Sequence, residues 1–242
     1  MTKIHFITYA DENFDKSKKR ILKEAEEFSE FSTITGYGPE DLDDNFKEKY
    51  KDILKQPRIA GYGIWRPYII KKKLNEINDN DILIYLDAGC TINIKGKSRF
   101  NEYINMFNNI DKGIISFEMC HHIEKKWTTK EIFNYFNVSL DSKIANSRQF
   151  LDGVLIMKKN NHLINIINIW YKVIIDNVLL FTDYYNNNQN SFFIDNRHEQ
   201  SVLSIIRKQQ GSIIIPTTEI YFPDFTNNIK LKYPFWTTRI NG

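Results

Sequence analysis

Apolar residues along this chain follow two periods. Residues 4–9, 82–86, 113–117, 150–157 and 212–215 form short, nearly continuous apolar runs, the pattern of strands buried on both faces. Between them, residues 15–31, 65–77, 98–108, 160–180 and 196–209 space their apolar positions three and four apart. Ile21, Leu22, Ala25, Phe28 and Phe31 share one such helical face. Pro67 falls in the first turn of the 65–77 segment, where proline is tolerated. The pattern also predicts a short strand at 33–35 closed by Gly36-Tyr-Gly-Pro39, a surface helix at 42–54, a brief strand at 91–94 and a short helix at 129–136. Residues 118–148 otherwise read as mixed polar and aromatic sequence, 183–195 as a polar loop, and 216–242 as an irregular aromatic tail. Strands alternating with helices predict an α/β fold with a mostly parallel central sheet and helices on both faces. No repeat or composition break divides the chain, so a single domain over residues 1–242 is expected.

Composition narrows this little. A net charge of +3 argues against broad electrostatic binding to nucleic acid. Two cysteines, Cys90 and Cys120, make no disulfide framework and no zinc-type pair, which suits a reducing, cytoplasmic setting. The N-terminus carries no long apolar signal segment. The longest apolar stretch, residues 163–181, is interrupted by Asn165, Asn168, Lys172, Asp176 and Asn177, so no transmembrane segment is expected.

Four groups of residues invite chemistry. The run Ile82-Leu-Ile-Tyr-Leu-Asp87 ends a buried strand in a carboxylate, and Ala88 and Gly89 after it leave room for a diphosphate at the backbone. One such Asp plus substrate phosphates is enough for Mg2+ or Mn2+; the bland alternative is a cap or turn carboxylate. Upstream, Gly61-Tyr-Gly-Ile-Trp-Arg-Pro-Tyr68 opens a helix, where Arg66 could reach a phosphate while Trp65 and Tyr68 are core and Lys71, Lys72 and Lys73 form a solvated face. Downstream, Asn196-Arg-His-Glu-Gln-Ser201 opens another helix. A capping box from Asn196 to Glu199 would account for those two residues but not for His198 or Gln200. Asp152 lies inside a strand, where a carboxylate is unfavourable unless paired or functional. The neighbours His121 and His122 would point to opposite faces of a strand and share no metal.

Taken in order, Phe6-Ile-Thr-Tyr9, Gly61-Tyr-Gly-Ile-Trp-Arg-Pro-Tyr68, Tyr85-Leu-Asp-Ala-Gly-Cys90, Asp152-Gly-Val-Leu-Ile156 and Arg197-His-Glu-Gln-Ser201 resemble a GT-A-type glycosyltransferase. The likeness is to small transferases of bacterial surface-polysaccharide clusters and giant viruses, and it spans nearly the whole chain. It implies a Rossmann-like sheet, a UDP- or GDP-sugar donor and a glycan or glycoconjugate acceptor. Residues 1–117 would bind the nucleotide and 118–242 the acceptor. By the same resemblance Thr8, Tyr9 and Ala10 hold the nucleobase and ribose, while Trp65, Arg66, Asp87, Ala88 and Gly89 complete the donor site. The family's Asp-x-Asp motif binds a divalent metal; here Gly89 replaces the second Asp, so Mn2+ or Mg2+ would rest on Asp87. No late His follows Gly211. Glu199 and Gln200 would lie beneath the donor sugar, with Gln200 near the anomeric carbon and substrate-assisted transfer on the same face. Alternatively Glu199 or Asp152 is a general base, giving inversion. Trp127, Tyr221, Phe225 and Trp236 offer flat faces to an acceptor sugar.

Two other functions share this outline. A sugar-nucleotide nucleotidyltransferase would need a glycine-rich loop after the first strand, and Thr8-Tyr-Ala-Asp-Glu-Asn13 has no glycine. A degenerate, non-catalytic nucleotide- or glycan-binding module would fit the missing second Asp.

Overall fold

Alternation within each strand divides the molecule into two apolar layers. The computed structural model describes residues 2–222 and 228–240. Among these residues the strands are β1 (Ile4–Tyr9), β2 (Thr33–Tyr37), β3 (Ile82–Leu86), β4 (Thr91–Ile92), β5 (Ile114–Ile123), β6 (Arg148–Lys158), β7 (Ile213–Pro216) and β8 (Phe235–Trp236). Leu83 and Tyr85 of β3 join one layer with the helices Trp65–Glu76, Asn161–Asn177 and Glu199–Gln210. Ile82, Ile84 and Leu86 join the other with Asp15–Phe28 and Lys97–Asn105. Helices thus cover both faces of an α/β sheet, as the sequence pattern predicts.

The six-stranded sheet runs β2-β1-β3-β6-β5-β7. β2, β1 and β3 are parallel, β5 and β7 are parallel, and β6 alone runs against its neighbours β3 and β5. That reversal places the middle of β6 beside the carboxyl end of β3: Leu86 pairs with Val154, and the Asp87 amide donates to the Gly153 carbonyl at 2.9 Å.

Several boundaries differ from the pattern's expectation. The 42–54 helix breaks at Tyr50, which leaves the helical region, into Asp44–Lys49 and Lys51–Leu54. β5 continues past Phe117 to Ile123 because β6 is long enough to pair with it out to Arg148, through register shifts that absorb the polar sequence. The tail is not irregular throughout: β8 pairs with β4, and the Ile240 amide donates to the Gly89 carbonyl at 3.0 Å. Asn161–Phe181 does reach the length and apolar content of a membrane-crossing helix, contrary to expectation. It buries Leu163, Ile166, Ile167, Trp170, Val173 and Ile174 against the sheet, so its apolarity serves the core of this fold.

Candidate functional site

The carboxyl ends of β1 and β3, the middle of β6 and the first turns of two helices converge on one cavity of about 910 Å3. This is where an open α/β sheet places its ligands, and the volume suits a nucleotide-sized molecule. Tyr9, Ala10, Trp65, Arg66, Asp87, Ala88, Gly89, Asp152, Glu199 and Gln200 all line it. Thr8 does not. It is fully buried and its hydroxyl donates to the Leu86 carbonyl at 2.8 Å, tying β1 to β3 behind the cavity.

Arg66 is the centre of the floor. Its side chain is only 3% exposed and is surrounded by three carboxylates. Nη1 donates to Asp152 Oδ2 and, at 2.7 Å, to Glu199 Oε1; Nη2 donates to Asp87 Oδ1 at 2.8 Å; Nε donates to Tyr85 Oη at 3.1 Å. Tyr85 in turn donates to Asp87 Oδ1 at 2.5 Å. Arg66 therefore organises acids, with Nε, Nη1 and Nη2 all donating to protein groups. The strand carboxylate Asp152 has the partner that its position demanded.

One cation cannot balance three carboxylates, two of them, Asp152 and Glu199, buried. Burial, and then the charges of its acidic neighbours, push Glu199 well above the usual carboxylate range despite the opposing pull of Arg66. Burial raises Asp152 as well, with Arg66 holding it back. Burial would lower Arg66, but Asp152, Asp87, Tyr85 and Glu199 together hold it well above its ordinary value, so it stays charged. Glu199 Oε2 is buried and has no hydrogen-bond partner among the described residues. That upward shift favours the protonated form, which lowers the local negative charge, and the unpartnered oxygen leaves a polar group unspent beside the cavity.

Glycines make this crowding possible. Residues 59–63 all take positive φ, a left-handed turn that delivers Trp65 and Arg66 into the site. The Trp65 indole locks it by donating to the Ile59 carbonyl at 3.1 Å. Left-handed backbone costs about 1–2 kcal/mol per residue for anything but glycine, so Ile59, Ala60 and Tyr62 are strained here. At Gly63 a Cβ would come within 2.5 Å of the Glu199 carboxyl carbon, and at Gly153 within 2.7 Å of Asp87 Oδ2. The expected capping box is absent. The helix starts at Glu199 with His198 preceding it at φ 52, and the Asn196 amide donates to the Thr182 carbonyl at 3.1 Å. Glu199 is free of capping because Arg66 has claimed it.

The opposite wall is basic. Arg197 and Arg239 both line the cavity. Arg197 donates to His122 Nε2 at 3.2 Å and lies over the Trp127 ring at 4.4 Å. Burial, followed by Arg197, His121 and Arg239, lowers His122 below its ordinary value, so it is neutral and accepts that bond. The sequence pattern singles out neither arginine as a ligand. Arg239 carries no signal, since only the return of the tail onto Gly89 brings it in. Arg197 stands beside the residues that do carry one.

Of the proposed sugar platforms, Tyr221 lines the cavity and is half exposed. Trp127, packed by Arg197 and His122, and Trp236, packed by Lys230, do not line it. Phe225 lies outside the described residues. Tyr9 and Trp65, both lining the cavity, stack on each other with ring centroids 3.8 Å apart. For a metal, no three His, Cys, Asp or Glu side chains among the described residues form a ligand set. Asp87 Oδ1 is taken by Arg66 and Tyr85, whereas the side chain remains 43% exposed and its Oδ2 makes no hydrogen bond among the described residues. That free oxygen fits a cation held mainly by phosphates and water.

No protein-family model matches the chain, and no curated protein matches it. Solved structures do. A glycosyltransferase involved in glycosylation of the major capsid of PBCV-1 superposes with a TM-score of 0.58 at 12% identity, over 97% of this chain and 92% of that one. Mouse xyloside xylosyltransferase 1 gives 0.49 at 9% identity, over 90% and 86%. The galactosyltransferase LgtC gives 0.45 at 11% identity, over 95% and 83%. The first of these carries the likeness in fold: the chain has the GT-A-like architecture expected from its motifs.

Proposed function

We propose that this protein is a glycosyltransferase that moves a sugar from a UDP- or GDP-type donor to a glycan or glycoconjugate acceptor. The observation that carries this reading is the cavity floor. A strand-end carboxylate with a free oxygen sits beside the buried Glu199 carboxyl group and the Gln200 amide, facing a wall of two arginines. A fold alone does not imply an activity; this set of groups matches what the reaction requires.

Transfer needs charge stabilisation for a departing nucleoside diphosphate and for a cationic sugar. The end of the cavity lined by Tyr9, Ala10 and Trp65 takes the nucleobase and ribose, and the backbone at Ala88 and Gly89 lets the diphosphate approach. Arg197 and Arg239 meet its charge. Arg66 keeps the acids in place instead. A bound Mn2+ or Mg2+ would rest on Asp87 Oδ2 and add positive charge at the leaving group. The upward shift of Glu199 favours its protonated form, a hydrogen-bond donor to a sugar hydroxyl rather than a general base. Asp152 is held by Arg66. The Gln200 amide is a poor nucleophile. These features favour same-face, substrate-assisted transfer, with the acceptor entering past Tyr221 and residues 118–242 supplying its contacts.

A thermal-shift screen of UDP- and GDP-sugars tests the proposal. Saturation with the correct donor family should raise Tm by about 5–10 °C. A folded protein that responds to none of them would overturn it.

A further inference from the structure

We infer that Glu124, acting through Gln149, fixes which end of the Gln200 amide faces the cavity. Glu124 is fully buried and its carboxylate collects four donors: Thr128 Oγ1 at 2.6 Å and Gln149 Nε2 at 2.8 Å on one oxygen, Ser204 Oγ at 2.5 Å and Lys208 Nζ at 2.6 Å on the other. A carboxylate only accepts, so Gln149 must turn its NH2 toward Glu124. The other groups near that NH2 agree. Ser201 Oγ, at 3.3 Å, has its own hydrogen committed to the Trp127 carbonyl at 2.6 Å and offers only lone pairs. The Gln149 carbonyl is thereby turned to Gln200, whose Nε2 donates to it at 2.6 Å. The remaining contact of Gln200 Nε2 is Met119 Sδ at 3.7 Å, a weak acceptor. With its NH2 held from behind, the Gln200 amide presents its carbonyl oxygen to the cavity. In the transferase reading on which the kinetic part of this inference rests, that oxygen is the group suited to a cationic anomeric centre, and an NH2 in its place would repel it. Glu124 and Gln149 are positioning residues, and Gln200 is the group that meets substrate.

Exchange of the Gln200 side-chain amide in 15N-labelled full-length protein tests the relay, its signal identified by loss in Gln200→Glu. Exchange should be slow in the wild type. Gln149→Leu should speed it and lower kcat, each by about tenfold or more, with nucleoside diphosphate affinity held within about twofold. Gln149→Glu separates polarity from packing. Protonated, the new carboxyl group gives an O–H to Glu124 and a C=O to Gln200, the pattern of the native amide. Ionised, it sets an acceptor against Glu124, while Lys208 already serves Glu124 and the Arg207 guanidinium is bonded to the Leu203, Phe150 and Leu151 carbonyls. This variant should therefore keep slow exchange and kcat at low pH and lose both as pH rises, a step absent from the wild type. It also keeps the test open should Gln149→Leu fail to fold. Unchanged exchange in Gln149→Leu, or identical behaviour of the two variants at every pH, would overturn the relay. A wild type with a slowly exchanging amide that binds no nucleotide would overturn the transferase reading and leave the relay standing.

Discussion

Two ion clusters pack against the Glu199–Gln210 helix, one at Glu199 and the other at Ser204 and Lys208, and they are built in opposite ways. Around Glu124 a single carboxylate is met by four donors, and nothing is left over. Around Arg66 a single cation is met by three carboxylates, one oxygen of Glu199 has no partner among the described residues, and the whole opens on a cavity. The first arrangement is what a fold does with a charge it must bury. The second keeps unsatisfied polarity where a ligand can meet it. The difference separates scaffold from site more sharply than burial does, since Glu124 and Glu199 are both almost wholly enclosed.

Removing the central cation from each cluster breaks the comparison most strongly. Arg66→Met leaves three carboxylates facing one another and should cost about 3–5 kcal/mol in denaturant unfolding. Lys208→Met leaves Glu124 with three neutral donors and should cost about 1–3 kcal/mol. Equal losses would show that the acid-rich floor is no more strained than the satisfied cluster.

Next in size is the basic wall. Arg239→Gln and Arg197→Gln should each weaken nucleoside diphosphate binding by about tenfold while leaving the parent nucleoside unaffected, and the diphosphate increment should shrink with added salt. Equal weakening of nucleoside and diphosphate would move the phosphates elsewhere in the cavity.

The smallest effect concerns protons. Glu199 holds its proton more tightly folded than unfolded. The folded state therefore binds the extra proton at pH values above the ordinary carboxylate pKa of about 4.3. Its stabilising contribution is complete below that value and is lost as pH rises through the folded pKa. Glu199→Gln should flatten this decline, so its Tm relative to the wild type should improve as pH increases. A parallel pH dependence in both proteins would mean that Glu199 is ionised throughout.

Much of the fold and part of the site are legible in the amino-acid sequence. The continuous apolar runs mark the strands. Asp87 at the end of one and Asp152 within another mark the site, because a carboxylate in either place needs a reason. What the sequence hides is relational. Arg66 reads as a phosphate ligand because its sequence neighbours are glycines and aromatics; its three acidic partners come from β3, β6 and a helix far along the chain. Thr8 sits in the motif by sequence but one strand alternation turns it away from the cavity. Arg239 enters only because the tail folds back on Gly89. The Gln149–Glu124 relay leaves no pattern in sequence at all, since its members are 25 residues apart.

The central claim is that this cavity holds a nucleoside diphosphate at Asp87. Isothermal titration of UDP and GDP against the wild type and Asp87→Asn, with and without Mn2+, tests it most directly. The account predicts one site for one of the two nucleotides in the wild type. It also predicts a loss of about tenfold or more in affinity in Asp87→Asn, with the Mn2+ dependence abolished. A folded wild type that binds neither nucleotide under either condition would contradict it.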